Sequence, residues 1–162
     1  MTEATRSGGQ GETDTPRARV RALERDAMLA LLGRNHIGRL AYCYRNRIGI
    51  APVHFVHSGN WLYGRTSAGE KLEAIRANWW VAVAVDEISG MFDWRSVVVR
   101  GGFYPLSPEG SAESREQWEE ALRQVRRLVP ETFTERDPTP GRTVLFGVAI
   151  QELSGFESSL DR

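Results

Sequence analysis

The feature that most constrains this chain is a succession of short strand-like segments whose connections are mostly too short to cross a sheet. His36 to Tyr42 alternates apolar and polar residues, and Arg45-Asn46-Arg47 supplies a polar turn after it. The return arm, Ile48 to Val56, sets Ile48, Ile50, Pro52, His54 and Val56 on one face and Gly49, Ala51, Val53, Phe55 and His57 on the other. Ser58-Gly59-Asn60 then turns the chain into Trp61-Leu62-Tyr63. Val81 to Val85 and Ser96 to Val99 are strand-length runs rich in β-branched residues, Asp86 to Gly90 reads as the start of a loop, and Thr143 to Ile150 is a closing strand. Hairpin-like connections dominate this order, which predicts a mainly antiparallel sheet curled into a barrel. A dinucleotide fold lacks its fingerprint, since no G-x-G-x-x-G stands between a strand and a helix.

Three short helices accompany the strands. Leu23, Ala27, Ala30 and Leu31 recur at helical spacing, with Met28, Leu29 and Leu32 broadening the stripe up to Gly33. Leu72 and Ile75 give Ala68 to Ala77 one apolar side. Ser111 to Leu128 is amphipathic through Trp118, Ala121, Leu122, Val125 and Leu128, and Pro130 stops it. Met1 to Arg19 has little to bury against its ordering entropy, so a flexible tail is expected there, with the domain running from 20 to 158.

The charge balance is even, 21 basic against 21 acidic residues, which argues against nucleic acid as a partner. Cys43 is the only cysteine, so no internal disulfide can form and a cytoplasmic setting is expected. No apolar run approaches the roughly 20 residues that a membrane helix needs, so no membrane partner is expected.

The strongest chemical signal is Tyr63-Gly64-Arg65-Thr66-Ser67-Ala68-Gly69-Glu70-Lys71, where a strand runs into a helix through a guanidinium, two hydroxyls, glycines and an ammonium. A helix N-terminus leaves unpaired N–H groups and a positive dipole end, which favour a phosphate oxygen. The same residues also fit an ordinary cap, with Thr66 or Ser67 at the N-cap and Glu70 completing a capping box.

Two further segments carry candidates. Pro52 removes a ladder donor from the arm that holds Val53, His54 and Phe55, marking a place where the backbone can turn to another partner, such as the polar rim of a flat heteroaromatic ring. Trp94, Arg95 and Ser96 place an aromatic, a guanidinium and a hydroxyl at the mouth of a buried strand, as ring and anion contacts or as ordinary strand-end packing. His54 and His57 fall on opposite faces, so no metal site is expected from them with His36. No serine or cysteine has an evident base partner, which leaves any catalysis to a bound cofactor and the catalytic residues unknown.

Taken together, Ile37-Gly38-Arg39-Leu40, Ala51-Pro52-Val53-His54-Phe55, Leu62 to Leu72 and Trp94 to Gly101 resemble the pyridoxamine 5'-phosphate oxidase-like, FMN-binding split-barrel family, over about residues 22 to 156. The branch of nitroimidazole-resistance-type proteins is the most similar. The resemblance implies a mainly β, α+β fold: a six-stranded antiparallel split barrel with short flanking helices. It implies a homodimer with one flavin in each of two clefts lined by both subunits. Arg65, Thr66, Ser67 and Lys71 would hold the FMN phosphate, backbone groups of Val53, His54 and Phe55 would meet the ring edge, and Trp94, Arg95 and Ser96 would complete the cleft, from the same chain or its partner. The activity implied is an FMN-dependent oxidoreductase acting on a small organic acceptor, nitro compounds among them. A non-catalytic flavin-binding, storage or sensing module and a deazaflavin-dependent reductase are the alternatives. Phe156 to Arg162 lacks the Arg and His of the vitamin oxidases' substrate segment, so pyridoxamine phosphate oxidation is not expected.

Overall fold

A computed structural model describes residues 15 to 161. Its elements are β1 (Ala18–Ala22), α1 (Arg25–Arg34), β2 (Ile37–Tyr44), β3 (Arg47–His54), β4 (Val56–Ser58), β5 (Trp61–Thr66), α2 (Glu70–Ala77), β6 (Trp80–Gly90), β7 (Asp93–Pro105), α3 (Ala112–Leu128), β8 (Val144–Ala149) and β9 (Glu152–Leu160). Every strand pairing is antiparallel. The order is β3-β2-β6-β7-β8-β5-β4, with β9 beside β7 and β1 beside β9.

Two strands change partners, and these changes split the barrel. The return arm breaks at Phe55: β3 pairs with β2, whereas β4 pairs with β5. The Phe55 N–H donates to the His36 carbonyl at 3.0 Å, and His36 Nδ1 lies 3.2 Å from the Phe55 carbonyl, so the break is pinned from both sides. Long β7 pairs with β9 through Trp94 to Arg100 and with β8 through Phe103 to Pro105.

The core fills the space between the two halves. Leu40, Val83, Val85, Val97 and Val99 point inward from one half, while Leu62, Phe146 and Val148 point inward from the other. Phe103 and Phe146 stack across the middle with centroids 4.5 Å apart. Met28, Leu31 and Leu32 of α1 seal this core, whereas Ala27 and Ala30 face solvent, so the buried stripe is narrower than the spacing suggested. Helix α3 lays Ala121 and Val125 over Tyr63 and Leu145, on the outer side of β5 and β8.

The antiparallel split barrel matches the expected fold class, with nine strands among the described residues rather than six. The return arm became two strands at Phe55. Strands β1 and β9 pair with each other, and β1 is exposed throughout, so no inward apolar alternation marked it in the sequence. The expected tail boundary at 19 therefore moves, because Ala18 and Arg19 already belong to β1; residues 1 to 14 lie outside the described residues. Asp86 to Gly90 continues β6 instead of starting a loop, since Asp86, Glu87 and Ile88 pair with Ser96, Arg95 and Trp94. Asp86 faces solvent there, whereas Glu87 turns to the end of α1. Among the described residues, no helix is long and apolar enough to cross a membrane.

Glu87 ties α1 to this hairpin. Its carboxylate accepts from Arg34 Nε at 2.7 Å, Arg34 Nη2 at 2.8 Å and Asn35 Nδ2 at 2.7 Å. The hydrogen bond from Arg34, ahead of the other contacts, holds its pKa down at about 2 against an ordinary 4.5. A carboxyl depressed on folding contributes stability that is complete above its unfolded pKa and lost as pH falls through the folded one. The melting temperature is expected to drop between about pH 4.5 and 2, and Glu87→Gln to flatten that part of the curve.

Candidate functional site

The site is built where β5 runs into α2. Gly69 is the N-cap of α2 at φ 154° and ψ −168°, a region open essentially to glycine alone. Nothing lies within 4 Å of where its Cβ would stand, so the glycine serves the backbone turn and not a close contact. No side chain caps the helix. The Thr66 hydroxyl reaches only the Ser67 carbonyl, at 3.5 Å, and the capping-box reading of Thr66, Ser67 and Glu70 is not what the chain adopts. The first N–H groups of α2 are left open beside two hydroxyls, one of them on the buried Thr66.

One cation, Lys71, stands in the first turn of that helix, and a second, Arg142, lies within its electrostatic reach. Lys71 is half-buried, and its pKa is lowered from 10.5, first by burial and then by the charge of Arg142. Arg142, also half-buried, stands in the loop before β8, and its Nη1 lies 3.2 Å from His54 Nδ1. A guanidinium can only donate, so His54 Nδ1 accepts and the neutral ring carries its proton on Nε2. Neither Lys71 nor Arg142 forms a salt bridge among the described residues. Half-buried like charges without a carboxylate are unfavourable alone and become favourable when an anion sits between them.

Arg65 is placed differently from the sequence expectation. Successive residues of a strand point to opposite faces, so Arg65 departs from Thr66 and turns toward α3. Its fork meets Asp137, Nη1 to Oδ2 at 2.5 Å and Nη2 to Oδ1 at 2.8 Å, with Nη2 also donating to Thr139 Oγ1 at 2.8 Å. The Arg65 bond, above all, holds the Asp137 carboxyl well below the usual carboxylate range.

Val53 and Phe55 are buried, while His54 points out on the face shared with Pro52, Ile50 and Ile48. Trp94 and Ser96 lie on this same outer face, but β2 and β6 stand between them and β3. Three strand spacings make that separation about 14 Å. One chain therefore links His54 to Arg142, whose charge reaches Lys71, keeps Thr66 and Ser67 at the turn before α2, and leaves Trp94, Arg95 and Ser96 apart. Arg95 is held at the surface by Glu157, Nε to Oε2 at 3.2 Å. Between the two groups, Ile37, Arg39, Ala84, Asp86 and Ile88 line a depression of about 530 Å³, within the size range of cofactor sites. Around it, Ile37, Ile48, Ile50, Ile88 and Phe156 stand in solvent on one face of the sheet. Arg39 and Asp86 stand among them on the same face.

Arg142, Asp137 and Thr139 were missed by sequence reasoning. They sit in an irregular stretch where no periodicity or motif sets them off, and only the fold returns that stretch to His54 and Arg65.

The architecture and this corner define a split β-barrel with an uncapped helix N-terminus, a cation in its first turn, beside a sheet face. The family model for pyridoxamine 5'-phosphate oxidase matches residues 24 to 157, and the chain belongs to that family. An uncharacterized protein of Rhizobium meliloti is 32% identical over 87 residues, 54% of this chain; the match spans 58% of that relative's length. A solved FAD-binding protein from Mesorhizobium loti is 29% identical, covers 88% of this chain and 99% of its own, and superposes with a TM-score of 0.69. The FAD-binding protein of Mycobacterium smegmatis shares the fold at a TM-score of 0.60, with 22% identity over 88% of this chain and 100% of its own.

Proposed function

We propose that this chain is a flavin-binding protein that holds the flavin's phosphate at the Lys71 corner and works as an oxidoreductase on a small organic acceptor. The observation that carries the reading is half-buried Lys71 in the first turn of α2, a helix that no side chain caps, with the charge of Arg142 within reach and no carboxylate in a salt bridge to either among the described residues. Family membership and the FAD-binding neighbour from Mesorhizobium loti support a flavin. FMN is the first choice because the corner is built for one terminal phosphate; the FAD-binding neighbours make FAD the competing ligand. Thr66, Ser67 and Lys71 bind the phosphate, and the backbone of Val53, His54 and Phe55 meets the ring edge. Trp94, Arg95 and Ser96, some 14 Å away across the sheet, complete the cleft from a second copy docked on the apolar face. The bound flavin supplies hydride or electron transfer, while these residues bind and orient. A nitro compound as acceptor follows the nitroimidazole-resistance branch, and a cytoplasmic setting suits a chain with the single thiol Cys43.

A second reading is a flavin carrier or sensor without turnover. What favours it is that His36 and His57 each meet a backbone carbonyl and His54 Nδ1 is taken up by Arg142, which leaves His54 Nε2 as the one histidine donor not engaged in these contacts.

Titration of flavin-free protein with FMN, FAD and a deazaflavin, followed by fluorescence, tests the reading. FMN is expected to bind most tightly, and a protein that ignores FMN and FAD alike sinks the proposal. Lys71→Ala is expected to weaken FMN binding by about 1 to 3 kcal/mol, the scale of a lost charge-assisted bond. FMN affinity should also fall as pH rises through the lysine's pKa, beginning below the ordinary 10.5 because that pKa is lowered. Lys71→Ala should remove this part of the pH profile. Reduction of nitro compounds by the loaded protein with a nicotinamide or chemical reductant separates the enzyme from the carrier.

A further inference from the structure

Arg65, Asp137 and Arg142 are linked in a way that the motif around Lys71 does not reveal. The Arg65 and Asp137 side chains are 6% and 3% exposed, so this is an ion pair taken out of water. Asp137 accepts more than the Arg65 fork: the Phe133 N–H donates to Oδ2 at 2.9 Å and the Thr139 N–H to Oδ1 at 2.8 Å. The Thr139 carbonyl in turn accepts the Arg142 N–H at 3.0 Å. Phe133, in the left-handed region at φ 61°, lays its ring 5.7 Å from the Arg65 guanidinium. A continuous line of bonds thus runs from β5 through Asp137 and Thr139 to the backbone of Arg142, whose side chain lies 3.2 Å from His54 Nδ1 and whose charge reaches Lys71.

Residues 129 to 143 contain neither helix nor strand. An irregular connection of that length between two elements is ordinarily among the more mobile parts of a domain. A buried ion pair is weak evidence for stability as such, because apolar side chains of the same volume commonly do as well. What a pair with fixed fork geometry supplies is a definite position for the loop that carries it.

We propose that the Arg65–Asp137 pair is a positioning device that sets Arg142 as the second cation of the anion site, opposite Lys71. The ligand class is a terminal phosphate monoester, whose two charges match the two cations. Arg65 thereby acts on the site from behind, through the loop, and touches no ligand. The inference rests on the phosphate reading of the corner and extends it to a loop that the corner's own sequence does not include.

A double-mutant cycle on FMN affinity tests it, with riboflavin, which lacks the phosphate, and inorganic phosphate as companion probes. Arg142→Ala is expected to weaken FMN 10- to 100-fold and leave riboflavin unchanged. Asp137→Asn is expected to lose at least tenfold on the wild-type background and almost nothing on the Arg142→Ala background. On a Lys71→Ala background, Asp137→Asn should keep its full factor, a pattern that a general loss of folding does not produce. Thr139→Val removes one bond to Arg65 and serves if Asp137→Asn fails to fold; a few-fold loss that vanishes with Arg142→Ala is expected. Equal losses on both backgrounds, or an Arg142→Ala protein with wild-type FMN affinity, overturn the proposal. If FMN does not bind but inorganic phosphate raises the melting temperature in a way that needs both Arg142 and Asp137, the flavin reading fails and the positioning stands. If neither FMN nor phosphate binds, both fall.

Discussion

Ile50→Glu is expected to turn a dimer into a monomer and to strip it of flavin. Ile50 is 68% exposed on β3, beside Ile48 and on the same outer face as Ile37, Ile88 and Phe156. Because its side chain is mostly in water within one chain, a glutamate there has little to disturb in the monomer, so the substitution reports on what covers this face. In a two-fold dimer, each substitution is met twice. A carboxylate forced into an apolar interface carries an effective penalty of several kcal/mol. Two of them weaken association on the order of 1,000-fold or more, at about 1.4 kcal/mol per tenfold. On the dimer proposed above, flavin is expected to go with it, because Trp94 and Ser96 lie across two strands from the His54 end in one chain and would reach the cleft only from the other copy. Sedimentation equilibrium and flavin content, measured on one preparation, decide the matter. A variant that stays dimeric and fully yellow rules out this face as the shared cleft.

The same geometry explains how far the sequence could be read. Strands with apolar inner positions were visible from the alternation of His36 to Tyr42 and from the β-branched runs Val81 to Val85 of β6 and Ser96 to Val99 of β7. The order of short hairpins was enough to predict an antiparallel barrel. Strand β1, exposed throughout, carried no such signal, and the rim of β6 looked like a loop because two acids follow each other there, Asp86 exposed and Glu87 turned to Arg34 and Asn35. At the site, local chemistry pointed to the Lys71 corner because helix ends are local features. Alternation within β5 was enough to separate Arg65 from Thr66, yet the charge of Arg65 drew it into the anion site instead. Its partner, Asp137, is 72 residues away, and nothing around Asp137 announces that the fold returns it to β5. Arg142 was hidden for the same reason. Long-range partners in an irregular loop follow from the closed barrel, not from any window of sequence.

Gly64→Val is expected to damage the fold and the site together. In the sequence, Gly64 reads only as one of the glycines in the segment from Tyr63 to Lys71. In the structure, it is a close approach: a Cβ there would stand 2.5 Å from the His54 carbonyl oxygen and 2.6 Å from Phe146 Cζ. The first is backbone at the strand break, and the second is a ring stacked on Phe103 in the core, so neither gives way cheaply. Adding volume to a close-packed core costs typically 1 to 3 kcal/mol, and a branched side chain against backbone belongs at about 3 kcal/mol or above. Relief can come only by prising β5 from the β3–β4 break, which carries Thr66 and the start of α2 away from His54. An unfolding free energy from chemical denaturation lowered by that amount should therefore come with a loss of FMN affinity. Phe146→Leu in the same protein, which vacates ring volume but not the carbonyl, should recover stability only in part. Complete recovery would mean that Gly64 makes room for the ring alone, and that the close passage of β5 under His54 has no part in holding the corner.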